Sequence, residues 1–148
     1  MKKTDIRPLL PEEAALAAEV EDVCFADAWT EQSIREEMES PLGLYLGAWR
    51  EGAFAGYIGT RLVLDEGEIH RVAVLPAYRR QGIAGELVRE LFRQTEQIAV
   101  WFLEVRAGNL PARCLYEQLG FLSIGIRKNY YHDPQEDAVN MQLVRGDQ

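Results

Sequence analysis

A chain of 148 residues with 16 basic and 24 acidic side chains carries a formal net charge of −8. Apolar residues make up 47% and charged residues 27%, a globular balance that excludes disorder, collagen-like repeats and low complexity. The acidity argues against a nucleic-acid partner, and no apolar run approaches the roughly 18 residues a membrane span requires.

The length predicts one domain over residues 1–148, with a core that needs no staples. Near the start, Lys2, Lys3, Asp5 and Arg7 interrupt any signal-peptide apolar region, so a soluble, cytoplasmic protein is expected. Pro11-Glu12-Glu13 opens a helix with proline and acids in its first turn, and Leu16, Val20 and Val23 mark one face. Cys24 ends that pattern. Thr30 is the N-cap of a second helix, with Ile34 and Met38 stacked at i, i+4, and Pro41 stops it. Residues 44–49, 53–62 and 68–74 then read as three short strands. Arg50-Glu51-Gly52 and Asp65-Glu66-Gly67 join them as tight, glycine-bearing hairpins, so the pairing is antiparallel.

Residues 82–94 are helical, with Ile83, Leu87 and Leu91 on one face. The run 98–105 is almost continuously apolar, the mark of a strand buried on both sides. Pro111 opens another helix, Leu115 and Leu119 face inward, and Gly120 caps its end. Residues 121–126 and 139–144 are the closing strands. The order predicts an α/β (α+β) domain with a mixed, mostly antiparallel sheet of about seven strands and about four helices.

Three features carry chemistry. The segment Arg79-Arg80-Gln81-Gly82-Ile83-Ala84-Gly85 follows a strand and opens a helix. Small residues at 82, 84 and 85 let a ligand approach backbone amides, and a helix N-terminus favours anions, so the segment reads as a pyrophosphate cradle. It lacks the Lys-Ser/Thr of a nucleotide P-loop and the spacing of a dinucleotide fingerprint. The competing reading is a glycine-rich helix start with no ligand. Glu104 is a carboxylate inside an apolar strand, which must be paired, solvated by a cleft, or used; an ion pair with Arg106 on the same face is the plainest alternative. Tyr116, on the helix before Gly120-Phe121, is equally readable as a core aromatic. Cys24 and Cys114, with His70 and His132, are too few for a zinc site or a disulfide framework; they and His70 are expected to be structural.

Arg79-x-x-Gly82-x-Ala84 resembles the acyl-CoA signature of the GCN5-related N-acetyltransferase (GNAT) superfamily. Leu103-Glu104-Val105-Arg106, Asn109, Leu115-Tyr116-Glu117 and Leu119-Gly120-Phe121 are similar to its later motifs. Trp29-Thr30, Val72-Ala73-Val74, Arg127-Lys128-Asn129-Tyr130-Tyr131 and Glu136-Asp137-Ala138 resemble, in particular, its ribosomal-protein-alanine N-acetyltransferase branch. The likeness runs through nearly the whole chain in order. It implies an acetyl-CoA-dependent enzyme, without a metal, that acetylates the N-terminal α-amine, of alanine, on a basic ribosomal protein. It implies Glu104 as general base and Tyr116 as general acid. Val72, Ala73, Val74, Arg80, Gln81, Gly82, Ile83, Ala84, Gly85 and Asn109 would hold the coenzyme, and Tyr130 and Tyr131 would flank the acceptor. The alternatives are a GNAT enzyme for a lysine or small amine, a silent acetyl-CoA-binding module, and a doubly wound nucleotide-binding domain, which the tight hairpins oppose.

Charge is uneven: residues 1–68 carry 6 basic and 15 acidic side chains, while the rest carry 10 and 9. Most of the acids read as solvated helix faces. Combined with the resemblance, Glu31, Glu36, Glu37 and Glu39 are expected beside the acceptor groove, where they would draw in a basic partner.

Overall fold

The computed structural model describes residues 3–145. Strand β1 (Thr4–Pro8) precedes helices α1 (Ala14–Cys24) and α2 (Glu31–Glu39). Strands β2 (Gly43–Arg50), β3 (Ala53–Val63) and β4 (Glu66–Val74) form a meander, followed by α3 (Ile83–Gln94) and β5 (Val100–Arg106). Helix α4 (Leu110–Gln118) and the hairpin β6 (Leu122–Tyr131) and β7 (Glu136–Val144) complete the chain. Among the described residues, seven strands form one sheet in the order β1-β2-β3-β4-β5-β7-β6, with four α-helices, matching the expected mixed sheet. Only β4 and β5, among the described residues, pair in parallel. No helix among the described residues is long and apolar enough to cross a membrane.

Local chemistry explains most of the elements. Thr30 accepts a hydrogen bond from the Ser33 amide and caps α2 as expected. Glu51 and Gly52 make a two-residue turn with φ of 53° and 84°, the left-handed pair that a tight hairpin requires. The second hairpin departs from the reading. Its turn is Leu64-Asp65, with Leu64 at φ 56°, while Glu66 and Gly67 already belong to β4. Gly67 serves packing instead: a Cβ there would lie 2.4 Å from the Trp101 ring. Strand β1 gave no sequence signal because it is a short edge strand whose residues are half-buried or exposed.

Two apolar layers sandwich the sheet. One gathers Leu87, Leu91, Trp101, Leu103 and Phe121 under α3 and α4. The other packs Ala14, Ala17, Val20 and Ile34 of α1 and α2 on Tyr45 and Tyr57. On α1 the buried face is Ala14, Ala17, Val20 and Glu21, so the expected stripe is displaced: Leu16 is half-buried and Val23 is 59% exposed. Cys24 lies at the boundary as expected, but Cys114 is exposed, because α4 turns Leu115, Tyr116 and Leu119 inward.

Candidate active site

The parallel pair opens partway along its length. Strands β4 and β5 are paired from Glu66↔Val100 to Ile69↔Leu103 and no further. Beyond that point β4 stays with β3 as far as Val74↔Gly56, and β5 stays with β7 as far as Arg106↔Ala138. The backbone edge of Val72, Ala73 and Val74 that faces β5 therefore has no strand partner. His70 marks the divergence as a β-bulge: Ile69 opposes Thr60 and Arg71 opposes Gly59, leaving His70 as the extra residue. The bulge exchanges the faces of β4, so Val72 and Val74 pack on the α3 side while Ala73 is buried on the α1 side. A crevice beyond the carboxyl ends of parallel strands is the common ligand position in such sheets.

On the α3 side lies the glycine-rich loop. After the turn Pro76–Tyr78, Arg79 folds back to donate from Nε to the Val74 carbonyl at 3.0 Å. Arg80 and Gly82 take left-handed φ of 63° and 82°, and Glu86 is the first residue whose amide reaches a helical acceptor, Gly82 O at 3.0 Å. The amides of Ile83, Ala84 and Gly85 thus head the helix without intrahelical acceptors. Gln81 accepts from Arg50 at 2.6 Å, tying the loop to the end of β2. A Cβ on Gly82 would meet nothing within 4 Å, so space is open above the loop. Open space, a helix N-terminus and an exposed Arg80 fit a pyrophosphate.

Asn109 caps α4 by accepting from the Ala112 amide at 3.3 Å. Two helix turns on, Tyr116 is 7% exposed and meets Phe121 edge to face at 5.7 Å. Burial, reinforced by Tyr131, pushes its phenol up to about 12.

The opposite side holds a cleft of about 910 Å³. Its walls are the α1–α2 connection with Asp27 and Trp29, the β4 residues His70 and Arg71, and the hairpin residues Arg127, Tyr130 and Tyr131. Phe102 and Glu104 of β5 form part of its lining. Strand β5 is therefore not buried on both sides: Trp101, Leu103 and Val105 are buried, while Val100, Phe102 and Glu104 between them are half-buried. The apolar run concealed an alternation because Val100 and Phe102 are as hydrophobic as the residues facing the core.

Glu104 does not pair with Arg106. Glu104 forms an ion pair with Arg127, whose Nε lies 3.0 Å from Oε2, whereas Arg106 bonds Glu136 at 3.3 Å and lies 4.4 Å from the Tyr131 ring centre. Arg106 stands at the end of its strand, within reach of the β6–β7 turn, and that turn claims it. Tyr131 is itself raised to about 12, first by burial and then by the Glu104 charge. His70, expected to be structural, lines the cleft.

The acids of α2 are not at the cleft. Glu31 pairs with Arg35, Glu36 accepts from Gln32 at 3.2 Å, and Glu37 lies 3.8 Å from Arg61. The carboxylates that line the cleft are Asp27, Glu68, Glu104 and Asp133. A buried network behind the wall escaped the sequence reading, which left Glu21 among the solvated acids. Glu21 is fully buried and accepts from Trp29 N at 2.8 Å, from the Tyr57 hydroxyl at 2.5 Å, and from both Nε and Nη2 of Arg71. Its signal was available: an acid seven positions after Ala14, on the face shared by Ala17 and Val20.

The family model described as the Acetyltransferase (GNAT) family matches residues 13–121. The ribosomal protein bS18-alanine N-acetyltransferase of Escherichia coli K12 is 38% identical over 132 residues, covering 86% of this chain and 88% of that protein. The N-alpha-acetyltransferase RimI of Mycobacterium tuberculosis is 36% identical over 141 residues, covering 91% of this chain and 89% of its own. The crystal structure of the Escherichia coli ribosomal-protein-S18-alanine N-acetyltransferase superposes with a TM-score of 0.91 at 33% identity, over 99% of this chain and 97% of that one. By sequence and by fold, the chain belongs to the GNAT acetyltransferase family.

Proposed function

We propose that this chain, read as one catalytic domain over residues 1–148, transfers acetyl from acetyl-CoA to the N-terminal α-amine of a ribosomal protein beginning with alanine. The observation that carries the reading is the position of Glu104. It stands where β4 and β5 part, with an anion-binding helix terminus on one side of the sheet and a polypeptide-sized cleft on the other. The relatives named for ribosomal protein bS18-alanine support the choice of acceptor. Such an acceptor places the enzyme in the cytoplasm.

The residues divide the work as follows. The amides of Ile83, Ala84 and Gly85, with Arg80 and Gln81 beside them, hold the pyrophosphate at Gly82. The open edge of Val72, Ala73 and Val74 aligns the pantetheine arm, and its amides stabilise charge on the thioester oxygen. Asn109 contacts the same arm. Bound acetyl-CoA supplies an activated acyl group. Tyr130 and Tyr131 flank the incoming peptide. An α-amine has a pKa of about 7.7–8.0, so much of it is protonated at neutral pH, and Glu104 takes the proton before attack. Tyr116 keeps its proton, and its pKa of about 12 sets a limit. Full transfer to a thiolate of pKa about 8.5 would be uphill by about 5 kcal/mol. Its hydroxyl therefore stabilises the departing sulfur by hydrogen bonding, and the proton passes fully only as the thiolate grows more basic in the same apolar surroundings.

The direct test is mass spectrometry of an alanine-initiated peptide from ribosomal protein bS18, incubated with the enzyme and acetyl-CoA. One acetyl group on the α-amine is expected. Acetylation of lysine side chains alone would overturn the assignment.

A further inference from the structure

Arg71 follows the His70 bulge and lines the cleft with 14% of its side chain exposed. Its Nε donates to Glu21 Oε2 at 3.0 Å and its Nη2 to Glu21 Oε1 at 2.9 Å, a side-on fork. Nη2 also donates to the Asp27 carbonyl at 3.2 Å. The guanidinium carbon lies 3.8 Å from the Phe25 ring centre and 4.5 Å from that of Trp29. A guanidinium has five N–H donors. Three are assigned by these bonds, and the two on Nη1 have no protein acceptor among the described residues. In a planar guanidinium bound side-on through Nε and Nη2, Nη1 occupies the edge away from the carboxylate.

A side chain held this firmly does more than join α1 to β4. Three hydrogen bonds and two rings fix the plane, so a ligand at Nη1 meets a pre-oriented donor pair. Glu21 cancels the positive charge, with Asp27 Oδ1 a further 3.8 Å away. The donors therefore attract a neutral carbonyl without repelling an ammonium group bound for Glu104 on the same cleft. The requirement is for an extended backbone carbonyl near a free amine, which the first residues of a polypeptide supply.

We propose that Arg71 binds the acceptor chain: Nη1 donates to a backbone carbonyl in its first few residues and sets the register of the α-amine at Glu104. The assignment rests on the acceptor-cleft reading above. Two variants separate binding from folding. Arg71→Lys keeps the charge opposite Glu21 but loses the fork, and Glu21→Gln combined with Arg71→Met removes both buried charges together.

The probes are an alanine-initiated peptide and analogues with an ester replacing the first or the second amide, which makes that carbonyl a weaker acceptor. For both variants, KM for the peptide should rise about 10- to 100-fold, the loss expected of a hydrogen bond to a charged group, while KM for acetyl-CoA stays within about twofold. One ester should slow the native enzyme about tenfold and the variants much less. An unchanged peptide KM, equal ester penalties in native and variant enzymes, or parallel rises in both KM values with a fall in Tm would overturn the assignment. A native enzyme that acetylates none of the peptides would overturn the function itself, and this assignment with it.

Discussion

Arg127 on β6 reaches across β7 to Glu104 on β5, its Nε 3.0 Å from Oε2. The ion pair sets a positive charge beside a carboxylate that also lines the cleft. Arg127 is 57% exposed, and pairs of that kind contribute only about 0–1 kcal/mol. Arg127→Gln should therefore lower kcat/KM by less than about tenfold, through orientation alone. Glu104→Gln removes the proposed base and should lower kcat by about 10²- to 10⁴-fold with little change in Tm. Raising the pH from 7 to 9 should recover part of the Glu104→Gln loss, because the acceptor amine then sheds its own proton. Steady-state rates across that range test this, and an equal deficit at both ends would remove Glu104 as the base.

Tyr116→Phe should reduce kcat far more than it changes acetyl-CoA affinity, since in the proposed mechanism the hydroxyl acts only as the sulfur departs. Calorimetric titration with acetyl-CoA beside steady-state kinetics separates the two effects. A variant with native kcat would return Tyr116 to the role of a core aromatic packed on Phe121.

Alkaline stability follows from the tyrosines. Tyr116 and Tyr131 are raised to about 12, and burial also raises Tyr45 and Tyr57. A phenol whose pKa is higher in the folded state binds more protons there than in the unfolded chain. Its contribution is complete below the unfolded value of about 10 and is lost as pH rises from there toward about 12. Urea unfolding at pH 9, 10 and 11 should show stability falling above pH 10, by up to about 1.4 kcal/mol per pH unit for a fully buried group. Tyr116→Phe should make that fall shallower; an unchanged slope would show that Tyr116 is not desolvated in solution.

Gly82 combines φ 82° with open space around a Cβ. Gly82→Val meets no steric wall but places a β-branched residue in the left-handed region, at a cost of about 1–3 kcal/mol. The fold should persist with a Tm lower by several degrees, and acetyl-CoA affinity should fall below calorimetric detection as the loop leaves its anion-binding shape. Native affinity in a folded variant would remove the loop from the coenzyme site.

Helix ends and the first hairpin turn follow from a few neighbouring residues, and for these the sequence was sufficient. Thr30 and Gly120 announced helix ends because capping is a contact between residues three or four apart. The loop from Arg79 to Gly85 was legible as a glycine-rich helix start because backbone freedom and a helix start are both local. Glu104 stood out by its chemistry alone, as a charge in an apolar strand. Only the assembled sheet decided what surrounds these residues. The parting of β4 from β5 depends on a bulge at His70, which no local pattern marked. Glu104 chose Arg127 over the nearer Arg106 because cross-strand distance, not separation along the chain, sets an ion pair. Glu21 lies on the buried face of α1 by its spacing, but its partner there, Arg71, comes fifty positions later and only the fold brings that matched charge to it. A carboxylate can leave water only where the fold supplies its partners, and a chain read residue by residue does not contain that encounter.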